Sequence, residues 1–316
     1  MLIFMSSEIL VTGGAGFIGS NIVRQLSQKN TVTVVDDLSE GHAENLEGLK
    51  VDLIKEDVRN TEFLERLFQE KKFGKVFHLA ASFANQKSID FPTQDLEING
   101  LATLHLLEQC AKHKVKKFVY ASSSCIYGPV KGEMAEELKP MPETPYAITK
   151  LLGEHYTQFY HDFHNLDATI VRYFNVYGPC EYPGPYRNVM PKFLSLALQG
   201  KALTVTGTGE ETRDFTFVED AAKATILASE KPGAKGQAIN IGTGKPTRII
   251  DLANEVNKVA GNKAAVQFAP QRNWDHVKHR LAKVERMKSV LGFVPKTTLQ
   301  EGVGKTAEWF RKSVIK

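Results

Sequence analysis

Tyr146 and Lys150 stand four residues apart, just after Thr144 and Pro145. Threonine is a preferred N-cap and proline suits the first helical position, so a helix opens here and carries both side chains on one face. An ammonium beside a phenol favours the phenolate and lowers its pKa from about 10. A tyrosine tuned in this way is a general base near neutral pH. The pair by itself is common on solvated helices, so its meaning depends on what the chain brings beside it. Ahead of it, a strand expected over 116–122 ends in Ser122, Ser123, Ser124 and Cys125.

The elements that must position these groups begin with Gly13, Gly16 and Gly19. They follow a short apolar run, Ile9 to Val11, that reads as a buried parallel strand. They precede Phe17, Ile18, Ile22, Val23 and Leu26 at helical spacing. Strand, glycine turn and helix are the setting of a dinucleotide fingerprint. One glycine permits the tight turn, another lets backbone approach a pyrophosphate, and the third lets helix and strand pack closely. The helix N-terminus then offers free N–H groups and a positive dipole end to the phosphates. The next strand, over 31–35, ends in Asp36 and Asp37, and Asp36 lies 17 residues beyond Gly19. An acid near that position receives the adenosine ribose hydroxyls and repels a 2′-phosphate. No Lys or Arg follows before Lys50, so the expected cofactor is NAD rather than NADP. In that setting the nicotinamide's positive ring would lower Tyr146 further, and the Tyr146–Lys150 pair reads as catalytic.

The 316 residues are 42% hydrophobic and 24% charged, the balance of a soluble globular protein. They suffice for one large α/β unit or two coupled domains. Cys110, Cys125 and Cys180 form no CxxC pair and no metal spacing, so neither a disulfide framework nor a metal site is expected, and a cytoplasmic location fits. Residues 2–5 are apolar but too short for a signal peptide, and no run reaches transmembrane length. The formal charge is +4, and residues 271–316 carry eleven Lys/Arg against four Asp/Glu, so this tail is +7 and the rest −3. The tail lacks the interleaved aromatics of a nucleic-acid surface. It reads as a solvated face with one or two phosphate-binding arginines.

Further strands are expected over 51–54 and 75–81. The latter ends in Leu79, Ala80 and Ala81, where small side chains let a cofactor lie against the backbone. Past the third strand, Asp57 can reach an adenine amino group while Val58 packs on the ring; by position Asp57 can equally cap the helix over 61–72. This alternation argues for a parallel sheet covered on both faces. A long helix over 93–113 holds Asn99 in its middle. Asparagine is a poor helix former, so it should bond a backbone group near the active site. A sixth strand and its exit occupy 166–178. Beyond Pro179 an irregular segment leads to helices over 189–199, 220–230, 247–260 and 299–312 and strands over 202–206 and 238–242.

Together these motifs resemble those of the extended short-chain dehydrogenase/reductases that act on nucleotide sugars, most closely the UDP-glucose 4-epimerases. The likeness runs over nearly the whole chain: the 12–19 turn, Asp36-Asp37, Asp57-Val58, His78-Leu79-Ala80-Ala81, Asn99, Ser122-Ser123, Tyr146 with Lys150, Tyr173-Phe174-Asn175 and Arg213-Asp214-Phe215. It implies an α/β fold: a Rossmann-type doubly wound parallel sheet with a smaller C-terminal α/β substrate-binding domain. The division would be 1–179 and 180–316, with segments around 214–245 returning to the first unit. It implies NAD held by Gly13, Gly16, Phe17, Ile18, Gly19, Asp36, Asp37, Asp57, Val58, Leu79, Ala80, Ala81, Asn99, Tyr146, Lys150 and Tyr173. Ser123, five residues before Gly128, matches the catalytic serine or threonine, and Tyr146 the base. Asn175, Asn188, Val189, Thr204, Arg213 and Arg272 match positions that bind the nucleotide and its diphosphate. Arginine suits the diphosphate because its fork bonds two oxygens at once.

The departures narrow the chemistry. Related hexose 4,6-dehydratases carry an acid pair just after the catalytic threonine, and decarboxylases carry a glutamate; this chain has Ser124 and Cys125. Cys125 resembles the acid/base cysteine of GDP-mannose 3,5-epimerases, but a 4-epimerase gives it no task, and a small wall residue is the favoured reading. Lys283 replaces a common aspartate, and His279 stands where 4-epimerases sort N-acetyl groups. The implied function is NAD-dependent epimerisation of UDP-glucose and UDP-galactose at C4 through a 4-keto sugar. A pocket in which that sugar turns should place few charged groups around the hexose. The rivals are a 3,5-epimerase, reductase or dehydratase on the same scaffold, and a non-catalytic NAD-sensing regulator. Relatives dimerise through a four-helix bundle. Leu101, Leu104 and Leu107 on one helix and Ile148, Leu152, Tyr156, Phe159 and Tyr160 on the other match its pairing faces.

Overall fold

Short apolar runs and amphipathic helices alternate through the first half of the chain, close to where the patterning puts them. The computed structural model describes residues 8–271 and 277–315. β1 (Glu8–Thr12), α1 (Phe17–Leu26), β2 (Val32–Asp36), β3 (Asp52–Lys55), α2 (Thr61–Glu70) and β4 (Phe73–His78) come first. The expected 93–113 helix is interrupted: α4 (Pro92–Leu96) runs into a π-helical turn (Glu97–Leu101) and then α5 (Ala102–Lys112), and a short α3 (Asn85–Asp90) precedes it. β5 (Lys117–Ser123), α6 (Pro145–His164), β6 (Ala168–Tyr173) and β7 (Val176–Tyr177) follow. The second half holds α7 (Val189–Leu198), β8 (Leu203–Thr206), β9 (Thr212–Arg213), β10 (Thr216–Phe217), α8 (Val218–Glu230) and β11 (Ala238–Ile241). It ends with β12 (Thr247–Arg248), α9 (Ile249–Ala260), β13 (Val266–Ala269), β14 (His279–Arg280) and α10 (Leu299–Ser313).

Seven strands form one parallel sheet in the order β11-β6-β5-β4-β1-β2-β3. The winding reverses between β1 and β4, the place where an open α/β sheet opens a crevice at its carboxyl edge. Both faces are covered, which is why the strands read as continuous apolar runs. In β1, Ile9 and Val11 join Ile22, Val23, Phe77 and Ala221 in one core, while Leu10 points the other way to join Val35, Leu64, Leu106 and Phe118. A third core gathers Phe193, Leu203, Leu252, Val256 and Phe310 from the C-terminal half. β10 pairs with β7 in a separate two-stranded sheet, whereas α8 packs beside α1 and β11 adds to β6 at the edge of the main sheet.

Several small corrections have local causes. β4 stops at His78 because Leu79 N–H makes the last bond to Thr12 O, at 3.0 Å. Leu79, Ala80 and Ala81 are therefore a loop across the crevice, outside the strand. His78 is buried between Thr12 and Thr103, its ring nitrogens 2.7 and 2.9 Å from their hydroxyls. Burial drops its pKa to about 3, so it is a neutral packing residue. Leu107 and Tyr160, expected on a pairing face, are core residues. Among the described residues no helix is long and apolar enough to cross a membrane, and no cluster of His, Cys, Asp or Glu could hold a metal.

Candidate active site

A cavity of about 910 Å³ opens at the carboxyl edge of the sheet. Its wall includes Gly13, Gly16, Phe17, Ile18, Gly19, Asp36, Asp37, Asp57, Val58, Leu79, Ala80 and Ala81 on one side. Ser123, Tyr146, Lys150 and Tyr173 stand at its centre, and Asn175, Asn188, Val189, Thr204 and Arg213 on the other side. Of the expected site residues, Asn99 is not on this wall, and Arg272 lies outside the described residues.

The glycine turn fits a dinucleotide. A Cβ on Gly19 would sit 2.1 Å from Gly13 O, and one on Gly13, at φ +68°, 2.5 Å from Ala80 N, so both glycines are imposed by backbone packing. Gly16 caps α1, meets only one neighbour at 3.2 Å, and borders the cavity. No side chain caps α1, so its first N–H groups and its dipole are left for an anion. Asp36 is buried; its two oxygens accept the N–H groups of Ala15 and Leu38, each at 2.9 Å, which fixes the carboxylate at the cavity edge. Burial raises its pKa, against those hydrogen bonds. Asp57 is not the cap of α2: Asn60 is, accepting from Phe63 N–H at 3.1 Å. Asp57 pairs with Arg59 at 2.6 Å, and that guanidinium holds its carboxyl below the usual range.

The catalytic candidates converge from two elements. Thr144 caps α6, accepting from Ala147 N–H at 3.3 Å, and its hydroxyl donates to Asn85 Oδ1 at 2.8 Å. Ser88 accepts the Tyr146 N–H at 3.0 Å. α3 thus anchors the first turn of the helix that presents Tyr146. β5 ends at Ser123, whose Oγ accepts the Cys125 N–H at 3.2 Å and starts a short 3₁₀ turn. Ser122 points away, donating to Glu154 at 2.5 Å. Lys150 is buried, donates to Ala121 O at 3.0 Å, and lies 5.9 Å from the Tyr146 ring centre. Burial lowers it to about 8, opposed by Asp95 and Glu154. The protein environment by itself does not depress the phenol of Tyr146. Tyr146 is only 6% exposed; burial raises its phenol well above 10, and nearby Ser123 and Arg280 only partly oppose that.

Asn99 does hold backbone, one layer behind the wall. Its Oδ1 accepts from Ser82 N–H at 2.8 Å, and its Nδ2 donates to Ser82 O at 3.1 Å and Asp95 Oδ1 at 3.0 Å. Thr149 on α6 closes the network with a 2.5 Å bond to Asp95. The π turn containing Asn99 therefore ties the loop after β4 to the catalytic helix.

Two cavity residues were not singled out from the sequence. Arg280 lies opposite Arg213 across β14 and β9, is nine-tenths buried, and donates to Cys125 Sγ at 3.0 Å and Ser124 Oγ at 3.4 Å. This guanidinium is a charged group on the cavity wall beside Ser124 and Cys125. His279, its neighbour in a two-residue strand, is exposed and bonds Thr212 at 3.0 Å. Alternation in that strand was the available signal. At Cys125 burial pushes the thiol up, but Arg280, Ser123 and Asn85 outweigh that and the net shift is downward. Glu181 is buried on the cavity wall with one oxygen on Asn188 and the other without a partner.

The model of the NAD dependent epimerase/dehydratase family matches residues 9–242. The chain belongs to that family. The UDP-glucose 4-epimerase of Mycolicibacterium smegmatis is 36% identical, over 96% of this chain and 98% of its own. Among solved structures, an epimerase of Methanothermobacter thermautotrophicus superposes with a TM-score of 0.95 at 38% identity, covering 98% of this chain and 93% of that one. The UDP-glucose 4-epimerase of Thermotoga maritima gives 0.93 at 36% identity, covering 97% and 99%. Other relatives, 32% and 31% identical, are named as a nucleotide-sugar decarboxylase and a dehydratase. The family works on nucleotide sugars with NAD as its cofactor, and the glycine turn, the uncapped α1 and the buried Asp36 of this chain fit that group.

Proposed function

We propose that the chain epimerises a UDP-hexose at C4, with UDP-glucose and UDP-galactose as the reference pair. Bound NAD supplies a reversible hydride acceptor beside the sugar. Tyr146 takes the proton of the 4-hydroxyl and returns it after the 4-keto sugar has turned, with Ser123 relaying or orienting that hydroxyl. Lys150, fixed by Ala121 O, supplies a cation below the phenol; with the cofactor's positive ring it offsets the burial that raises Tyr146. Gly13, Gly16, Phe17, Ile18, Gly19, Asp36, Asp37, Asp57, Val58, Leu79, Ala80, Ala81 and Tyr173 would line the dinucleotide. Asn175, Asn188, Val189, Thr204 and Arg213 would hold the nucleotide diphosphate.

The observation that carries this reading is the meeting of Ser123, Tyr146 and Lys150 on the wall shared with the glycine turn. Ser124 and Cys125 argue against dehydration and decarboxylation, because neither brings a carboxylic acid to the carbon next to C4. The test is incubation with UDP-galactose, and with other UDP-hexoses, without added NAD: C4 epimers should appear by chromatography with no net oxidation. Stable release of a keto sugar or of carbon dioxide would sink the proposal.

The same reading takes 1–179 as the cofactor unit and 180–316 as mainly the substrate unit, working in the cytoplasm as a homodimer. Leu96, Leu101, Ile148, Phe159 and Phe163 are exposed on α4, the π turn and α6, an apolar face suited to a second copy. Light scattering at micromolar concentration should give twice the chain mass; a strictly monomeric mass would count against the pairing.

A further inference from the structure

Among the described residues, Arg280 is a buried cation with no acid beside it. Another deeply buried arginine, Arg172, is neutralised by Glu154 through bonds of 3.0 and 2.7 Å. Arg280, just as buried, has only Cys125 Sγ and Ser124 Oγ as side-chain partners, its Nε has none, and no described carboxylate pairs with it. Withdrawing a guanidinium from water in this way is costly unless an anion meets it. Its place tells which anion. Ser124 and Cys125 directly follow Ser123, so the guanidinium stands beside the group that would meet the 4-hydroxyl. Its positive charge also reaches Tyr146. Of the two ring atoms next to C4, C3 bears only a hydroxyl, whereas C5 bears the exocyclic carbon that can carry an anion, so the group on C5 is the one that would face Arg280.

We infer that Arg280 binds a carboxylate on C5, and that the preferred substrate is a nucleotide-linked hexuronate. This rests on the C4-epimerase reading above and names its sugar class. Arginine is suited to the task because its planar fork takes both oxygens of a carboxylate. A neutral hexose leaves that fork facing a hydroxymethyl group and the cation uncompensated. The thiol of Cys125 then serves as the second acceptor that orients the guanidinium, and the sugar carbons need nothing from it.

The test uses the full chain as purified with its NAD. kcat/KM is measured for UDP-glucuronate and UDP-glucose by chromatography of the C4 epimers, and calorimetry gives the affinity for each and for UDP alone. Wild type should favour the acid by about tenfold or more. Arg280→Gln should lower the acid-to-neutral ratio on the order of a hundredfold, the usual cost of leaving a buried charge unpaired, and Arg280→Lys should restore part of it. A wild-type preference for the neutral sugar would overturn the inference. So would an equal loss on both sugars and on UDP, which would assign Arg280 to the diphosphate. If neither sugar is epimerised but calorimetry still shows an Arg280-dependent preference for the acid, the carboxylate site stands and the C4 reading falls. Should Arg280→Gln not fold, the wild-type ratio and the lysine variant decide.

Discussion

Glu181→Gln isolates a cost built into the cavity wall. Glu181 is 2% exposed, accepts one hydrogen bond from Asn188 at 3.3 Å, and leaves its other oxygen unpaired. Burial lifts its carboxyl from 4.5 to about 8, against Arg187 and Asn188. Between those values the folded chain keeps a proton that the unfolded chain has released. Stability therefore falls as pH rises through that window, by about 1.4 kcal/mol per pH unit. From pH 4.5 to pH 7 this amounts to about 3 kcal/mol, and glutamine, which has the same shape and no charge, removes it. The variant should gain on the wild type by that amount across the interval, a difference on the order of 5 °C in midpoint for a chain of this size. Urea and thermal unfolding of both proteins at half-unit steps of pH measure it. Parallel profiles would refute the argument, because a solvated carboxyl titrates alike in both states.

Three substitutions probe the rest of the site. Tyr146→Phe deletes only the phenolic oxygen, so turnover should fall on the order of a hundredfold or more while the NAD released on denaturation stays at one per chain; near-normal turnover would move the base elsewhere. Asn99→Ala strands the Ser82 N–H and unties Asp95, and should cost on the order of 3 kcal/mol in urea unfolding, with loss of turnover following from a loosened α6; unchanged stability would contradict the network. Cys125→Ala removes an acceptor of Arg280 but no proton donor to C4, so C4 epimerisation should stay within a fewfold of wild type, whereas abolished turnover in a folded, NAD-loaded protein would give the thiol an acid/base task.

The first half of the fold was legible because its signals are local. β1, β2, β4 and β5 are short apolar runs buried on both faces, and Gly13, Gly16 and Gly19 announce the turn that joins β1 to α1. The second half was less so. β13 is half-exposed and pairs with β8 across distant sequence, and β9, β12 and β14 are two-residue strands that exist only because tertiary contacts pair them. The same cause hid Arg280: its inward direction depends on β14, while His279 beside it drew attention and faces out. Glu181 lies in a Pro-rich segment without periodicity, so nothing marked it as buried. α3 is polar and short, yet through Asn85 and Ser88 it fixes the start of α6. The i, i+4 spacing of Tyr146 and Lys150 gives their nearness but not the burial of the phenol, which pushes its pKa upward.

The central claim is that the hydrogen at C4 leaves and returns within one closed site. Epimerisation in deuterium oxide, read by proton NMR of the recovered nucleotide sugars, tests it most directly, with UDP-galactose and UDP-glucuronate as substrates. The account predicts C4 epimers with no deuterium at any ring carbon, because the hydride never exchanges with solvent. Deuterium at C3 or C5 would show enolisation and a carbon-bound proton transfer, and would contradict it.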